Sequence, residues 1–148
     1  MIDNVLVQKK LQELKLYSKE LDQMKNISYQ EFSESLGKQW MVYHGLQVSI
    51  QIILDVGNHI LAAIGVNQVE DYADIIDRLG AQKIFSMDYA KRAKSMVGLR
   101  NILVHEYAKV DSKLVYSILQ NNLNDFYQFI DYIDKFLNKI ESKRPRTS

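Results

Sequence analysis

The residues from Gly98 to Tyr107, GLRNILVHEY, place an arginine, an asparagine, a histidine, a glutamate and a tyrosine around the apolar run Ile102, Leu103 and Val104. On a helix, Arg100 and Tyr107 lie nearly on one face, while Asn101 and His105 share a neighbouring one. Arg100 and His105 stand about 140° apart around an ideal helix. They diverge on a straight helix. They converge if the helix ends near His105, or if a second copy of the chain supplies the other partner.

These groups suit phosphate chemistry. An arginine offers a fixed positive fork to phosphate oxygens. A histidine moves a proton near neutral pH. RNA brings its own nucleophile, the 2′-hydroxyl, so a protein need only help deprotonate it, stabilise the charged phosphorane and protonate the leaving oxygen. That route requires no metal. Spacing alone nevertheless favours a plainer reading, with Arg100 in a surface ion pair with Glu106 and His105 at a helix end.

A second polar set, Gln47, Gln51, Asp55 and His59, recurs every fourth residue along the most apolar region of the chain, VSIQIILDVGNHILAAIGV. Four buried polar groups without partners would cost a few kcal/mol or more, so the row must bond internally, meet another helix or line a wet cleft. Satisfaction inside a helical bundle is the expected outcome. The functional alternative has Asp55 or Gln51 orienting His105. Asp55 and His59 have metal-ligand spacing but no further ligands, so no metal site is expected. Tyr43, Tyr89, Tyr116 and Trp40 read as packing residues. Lys91 and Arg92, in KRAK, could add phosphate contacts, although a solvated helix face is the default for such a run.

The elements that must hold these residues are helices. Val7, Leu11, Leu14, Tyr17, Leu21 and Met24 form one apolar stripe of a helix over about 3–25. Ser28 with Glu31 marks a capping box, flanked by Ile27 and Phe32. The helix it opens runs to about Ile64, with a kink expected near Gly37 and a stop at Gly65. A short amphipathic piece covers 69–79. Ser86 caps a helix holding Tyr89, Ala93, Met96 and Leu103. Asp111 and Ser112 cap a last long helix with the stripe Val115, Leu119, Phe126, Ile130, Ile133, Leu137 and Ile140. The expected fold is all-α, an up-and-down bundle of four main helices plus one short helix. It forms a single domain over 1–142, followed by a frayed basic tail at 143–148.

Composition agrees. Of the 148 residues, 47% are apolar and 25% charged, with six glycines and one proline, a globular and helix-permissive balance. The net charge of +1 does not advertise nucleic-acid binding, though it leaves room for a local basic patch. The absence of cysteine removes disulfides and thiolate metal sites. The N-terminus lacks a signal-peptide layout, and Gln51, Asp55, Asn58 and His59 interrupt the most apolar region, which reads as a core helix and not a membrane span. A cytoplasmic location is expected.

MVGLRNILVHEY closely resembles the motif of the HepT-like toxins of the HEPN superfamily, R-x4-H-x-Y. Arg100, His105 and Tyr107 occupy the motif positions, and Asn101 completes the usual RN pair. LQVSIQIILDVGNHILAAIG, DYADIIDRLG and DSKLVYSILQNNLNDFYQFI are similar to the family's second, short middle and last helices. The likeness departs at GKQWMVYHG, where family members often carry arginines. The resemblance implies the toxin of a bacterial type VII toxin–antitoxin pair. Such a toxin is a metal-independent, cofactor-free endoribonuclease that acts as a homodimer. Arg100 and His105 would be catalytic, with Asn101, Asp55 and Gln51 supporting. The implied partner is an MNT-type nucleotidyltransferase that silences the toxin by transferring AMP to Tyr107. The alternative is a non-enzymatic helical module that docks this nucleotidyltransferase.

Overall fold

A computed structural model describes residues 2–143; of the basic tail expected at 143–148, all but Lys143 lies outside the described residues. The described residues fold as seven α-helices: α1 (Asn4–Met24), α2 (Tyr29–Glu34), α3 (Leu36–Ala63), α4 (Tyr72–Ala81), α5 (Met87–His105), α6 (Ser112–Asn121) and α7 (Asn124–Ser142). A 3-10 turn, Tyr107–Lys109, joins α5 to α6. The all-α expectation holds. The count of four main helices and one short one does not, because two of the anticipated long helices are each divided.

The first division falls at Ser35. Its backbone is extended and its hydroxyl accepts from the Lys38 amide, so α3 starts afresh there and not through a kink at Gly37. Upstream, Ser28 caps α2 by accepting from the Glu31 amide, while the Glu31 carboxylate turns to Lys38 at 3.6 Å. The second division falls at Asn122–Leu123. The apolar stripe runs straight through it, but three asparagines in the NNLN segment favour turn geometry over helix interior. The Asp125 and Phe126 amides bond to the Asn122 and Leu123 carbonyls in tight i to i+3 fashion.

Other ends follow their sequence cues. Asp3 caps α1, Ser86 caps α5 and Asp111 caps α6 through side-chain oxygens. Gly65, at φ +88°, closes α3 in a left-handed conformation that glycine adopts without steric cost.

α3 is the central element. It packs against α1, α2, α4, α5 and α6. By length and composition it could cross a bilayer, but 56% of its most apolar window is buried inside the fold. The core runs from Leu11 and Leu14 through Phe32, Leu46, Ile53 and Ile60 to Ile76, Tyr89, Leu119 and Phe129. Each of the fully buried aliphatic side chains contributes about 1.5–3 kcal/mol by leaving water.

Two features set the geometry around the motif. At Gly57 an added Cβ would lie 2.8 Å from Leu79 Cδ1 and 3.0 Å from Ile75 Cγ2, so glycine there lets α4 approach α3 closely. Tyr89, fully buried on α5, donates its hydroxyl to the Asp125 carbonyl at 2.6 Å and ties α5 to the start of α7. Tyr43 is buried as expected, and half-buried Tyr116 donates to the Ile27 carbonyl. Trp40 is not a packing residue. It is 53% exposed beside exposed Met41 and Leu36, although Val42 and Tyr43 in the next turn are buried.

Candidate active site at the end of helix α5

α5 carries the motif to its C-terminus. His105 is the last helical residue. Glu106 leaves the helix at φ −132°, ψ 41°, and its amide closes the final turn on the Ile102 carbonyl. The helix ends at His105, but both Arg100 and His105 lie within it, so they keep the separation of about 140° of an ideal helix. The same ending alters the placement of Tyr107. The tyrosine does not continue the Arg100 face of a longer helix but opens the 3-10 turn, 46% exposed, with its ring edge-on to Tyr43 at 5.9 Å. Burial, then the nearby Tyr107 phenol, raises the pKa of the Tyr43 hydroxyl above its ordinary value.

Arg100 is held from three sides. Its Nε donates to Gln51 Oε1 at 3.0 Å and its Nη1 donates to Asn101 Oδ1 at 3.2 Å. Its guanidinium carbon sits 4.6 Å from the centre of the Tyr72 ring. The Gln51 amide is oriented in turn, since its Nε2 donates to Asp55 Oδ1 at 2.8 Å. A chain therefore runs Asp55, Gln51, Arg100 across two helices. Among the described residues no carboxylate lies within 4.0 Å of the guanidinium. The expected ion pair with Glu106 is absent, because Glu106 turns instead to Lys109 at 3.9 Å. Among the described residues, Nη2 and one hydrogen of Nη1 meet no acceptor, so they can donate end-on to an anion.

Gln51 and Asp55 thus meet the motif, but through Arg100 and not through His105. The imidazole is exposed, and no side chain among the described residues hydrogen-bonds to it. The row of four polar residues on α3 does not share one fate. Gln51 and Asp55 serve Arg100, whereas His59 Nε2 accepts from the Asp3 amide at 3.1 Å and secures the N-terminus. Asp55 is exposed and Gln51 half-buried, so the row lies along the edge of the bundle and not inside it.

Of the KRAK residues, Arg92 is engaged elsewhere. It pairs with Asp125 at 3.4 Å and donates to Gln128 at 3.1 Å. Lys94 pairs with Asp77 at 3.2 Å. Tyr72 was not anticipated from sequence. Its position at the first turn of α4, after the acidic pair Glu70 and Asp71, carries no local sign of contact with an arginine 28 residues later.

The model of the family described as "Ribonuclease HepT-like" matches residues 8–133. A tRNA nuclease HepT of Aphanizomenon flos-aquae is 26% identical over 142 residues, spanning 96% of this chain and 97% of the relative. An mRNA nuclease HepT of Shewanella oneidensis is 31% identical over 103 residues, spanning 70% of this chain and 77% of the relative. Among solved structures, a toxin–antitoxin complex with AMP-PNP superimposes with a TM-score of 0.83 at 27% identity, covering 89% of this chain and 99% of that one. A tri-AMPylated Shewanella oneidensis HEPN toxin in complex with its MNT antitoxin gives a TM-score of 0.82 at 28% identity, covering 91% and 99%. With the family model spanning residues 8–133 of the 148, this chain belongs to the HepT-like ribonuclease family.

Proposed function

We propose that this protein is the toxin of a HepT/MNT toxin–antitoxin pair, a metal-independent endoribonuclease silenced by AMP transfer to Tyr107. The observation that carries the reading is Arg100. Neutral amides and an aromatic face hold it, and no carboxylate among the described residues pairs with it, five residues before an exposed histidine. A purely structural arginine would gain more from a carboxylate.

In the proposed reaction the RNA 2′-hydroxyl attacks the adjacent phosphorus and loses its proton to a base. The free hydrogens of Arg100 meet the developing charge on the phosphorane oxygens. The 5′-oxygen of the next nucleotide leaves with a proton, and the products are a 2′,3′-cyclic phosphate and a 5′-hydroxyl. His105 acts as general base or general acid in this sequence. Asn101, Gln51 and Asp55 position Arg100. Because Arg100 and His105 point to different sides of α5, a two-fold homodimer gathers both copies in one cleft. Exposed Val104 and Leu114, near the motif in sequence, offer apolar surface for the second copy.

Two relatives are described as nucleases of tRNA and mRNA, and solved neighbours are toxin–antitoxin complexes, one of them AMPylated. These support RNA as substrate and a nucleotidyltransferase as partner. Adenylylated Tyr107 would set a phosphodiester anion and a bulky nucleoside just past the end of α5, where they would repel and obstruct RNA.

The test is digestion of RNA by purified, unmodified protein with EDTA present, alongside His105→Ala. Cleavage in wild type and its loss in the variant are expected; full activity in the variant sinks the mechanism. Co-expression with the nucleotidyltransferase should add ~329 Da per AMP group to wild type and nothing to Tyr107→Phe, read as intact mass.

A further inference from the structure

Four lysines surround a surface recess of about 420 Å³ near the N-terminal end of α5. Lys83 comes from the turn after α4, and Lys135, Lys139 and Lys143 come from α7 and its cap. Tyr132 fixes the arrangement, since its hydroxyl donates to Ser86 Oγ at 3.4 Å and sets α7 against the cap of α5. All four lysines are exposed. Among the described residues no carboxylate lies within 4.0 Å of any of their ammonium groups.

Two features show that this charge is held against local preference. Lys135, Lys139 and Lys143 succeed one another at four-residue spacing, where like charges repel along a helix. Lys83 sits at φ 59°, a left-handed position. It closes α4 with the Lys83 amide on the Gly80 carbonyl at 3.0 Å and the Ile84 amide on the Leu79 carbonyl at 3.1 Å. Glycine is the residue this helix-ending motif favours, because a Cβ is strained there. In a chain with a net charge of only +1, four unpaired lysines around one recess form a local field for an anion.

We infer that the recess of Lys83, Lys135, Lys139 and Lys143 is a second contact surface for the RNA backbone, remote from the cleavage motif. It rests on the ribonuclease reading for its choice of polyanion. The recess and the motif lie at opposite ends of α5, separated by about 28 Å of helix axis. Lys91, Gly98 and His105 follow one another at seven-residue spacing along an exposed line of α5 between the two ends. At Gly98 no atom lies within 4 Å of an added Cβ, so that line is open to a backbone laid along it. A long RNA would bridge recess and motif, whereas a di- or trinucleotide would reach the motif alone.

The test uses the full chain. In an inactive His105→Ala background, a labelled RNA of about 20 nucleotides is titrated at several salt concentrations, with and without Lys83→Gln, Lys135→Gln and Lys139→Gln together. Loss of three phosphate contacts should make the slope of log affinity against log salt shallower by about 2. Affinity should fall at least ~10-fold. In the active protein the same triple change should raise KM for long RNA and leave trinucleotide cleavage unchanged. Lys83→Gly should weaken RNA binding while raising the melting temperature, because it relieves the left-handed strain. An unchanged salt slope, an equal loss on short and long substrates, or a melting-temperature gain with undiminished RNA binding would overturn the assignment. Unchanged RNA binding with loss of the nucleotidyltransferase partner would overturn it too, and would make the recess a protein interface. If wild type cleaves no RNA yet the lysine-dependent slope persists, the ribonuclease reading fails and the RNA surface stands.

Discussion

α5 carries two arginines, Arg92 and Arg100, and each lies over a tyrosine ring, Tyr89 at 5.5 Å and Tyr72 at 4.6 Å. The difference lies in what meets the guanidinium edge. Arg92 meets the Asp125 carboxylate, 8% exposed, and the Gln128 amide. Its charge is largely spent on holding α5 to α7. Arg100 meets the amide oxygens of Gln51 and Asn101, and the nearby carboxylate of Asp55 acts only through Gln51. Neutral acceptors fix direction without cancelling charge. The same side chain on one helix thus serves as a strut in one place and as an aimed cation in the other.

The sharpest way to break this contrast is to remove each arginine. Arg100→Ala should lower the rate of RNA cleavage by ~10²–10⁴-fold, the scale of losing a positioned group that acts in the transition state. Its melting temperature should stay near wild type. Arg92→Ala should do the reverse. It should keep the rate and cost about 1–2 kcal/mol, because Asp125 is left nearly buried and unpaired while the arginine itself is half exposed. Cleavage assays and denaturant titrations on both variants check the pair. A matching loss of activity in Arg92→Ala would dissolve the distinction.

Beneath Arg92, Tyr89 should prove structural. Removing its hydroxyl in Tyr89→Phe leaves the Asp125 carbonyl without its 2.6 Å donor and should cost about 1–3 kcal/mol with no change in rate. Burial, followed by the Asp125 carboxylate, pushes the Tyr89 phenol well above the ordinary tyrosine range. Its folded pKa therefore lies above its unfolded one. The stabilisation is complete below pH ~10 and drains away as pH climbs beyond it. Alkaline unfolding should come later in pH for Tyr89→Phe, relative to its own neutral stability, than for wild type.

Gln51→Glu turns the Arg100 site into a copy of the Arg92 site. A carboxylate in place of the amide would pair with Nε and compete with RNA phosphate for the cation. It would also stand beside Asp55, where the amide Nε2 now donates at 2.8 Å. A loss of about 10-fold in kcat/KM is expected, or ~1.4 kcal/mol. Gln51→Glu activity equal to wild type would show that neutrality around Arg100 is irrelevant.

This contrast was only partly legible in the sequence. The motif residues and the caps Ser28, Ser86 and Asp111 depend on neighbours within a few positions, and those stood out. The polar row of Gln51 and Asp55 announced that it needed a partner. Which partner depended on how α3 crosses α5, and that is set by packing across the core, so Arg100 and not His105 receives the row. The break at Asn122–Leu123 was hidden because the apolar stripe keeps its period across it. Trp40 looked like core by its spacing, yet it is exposed while Val42 and Tyr43, two and three positions on, are buried, a difference set by which side of α3 its neighbours cover. Tyr72 could not be found at all, since its role arises only when Gly57 lets α4 settle against α3.

The smallest expected effect concerns that ring. Arg100 lies over Tyr72 at a separation within which the negative face of an aromatic attracts a guanidinium. Arg100 is partly exposed, so the attraction should contribute about 0.5–1 kcal/mol. Tyr72→Leu keeps bulk and removes the π face. Arg100 would then hang from Gln51 and Asn101 alone and sample more orientations, lowering kcat/KM by about 2- to 5-fold. Tyr72→Phe keeps the face and should match wild type, because the Tyr72 hydroxyl takes no part in the hydrogen bonds that hold Arg100. The two variants separate an electrostatic role of the ring from one of the phenol. Equal losses in both would assign the effect to the hydroxyl and remove Tyr72 from the account of how Arg100 is aimed. No loss in either would leave Gln51 and Asn101 as sufficient supports, and the two tyrosines under the two arginines would then differ only in that Tyr89 is core.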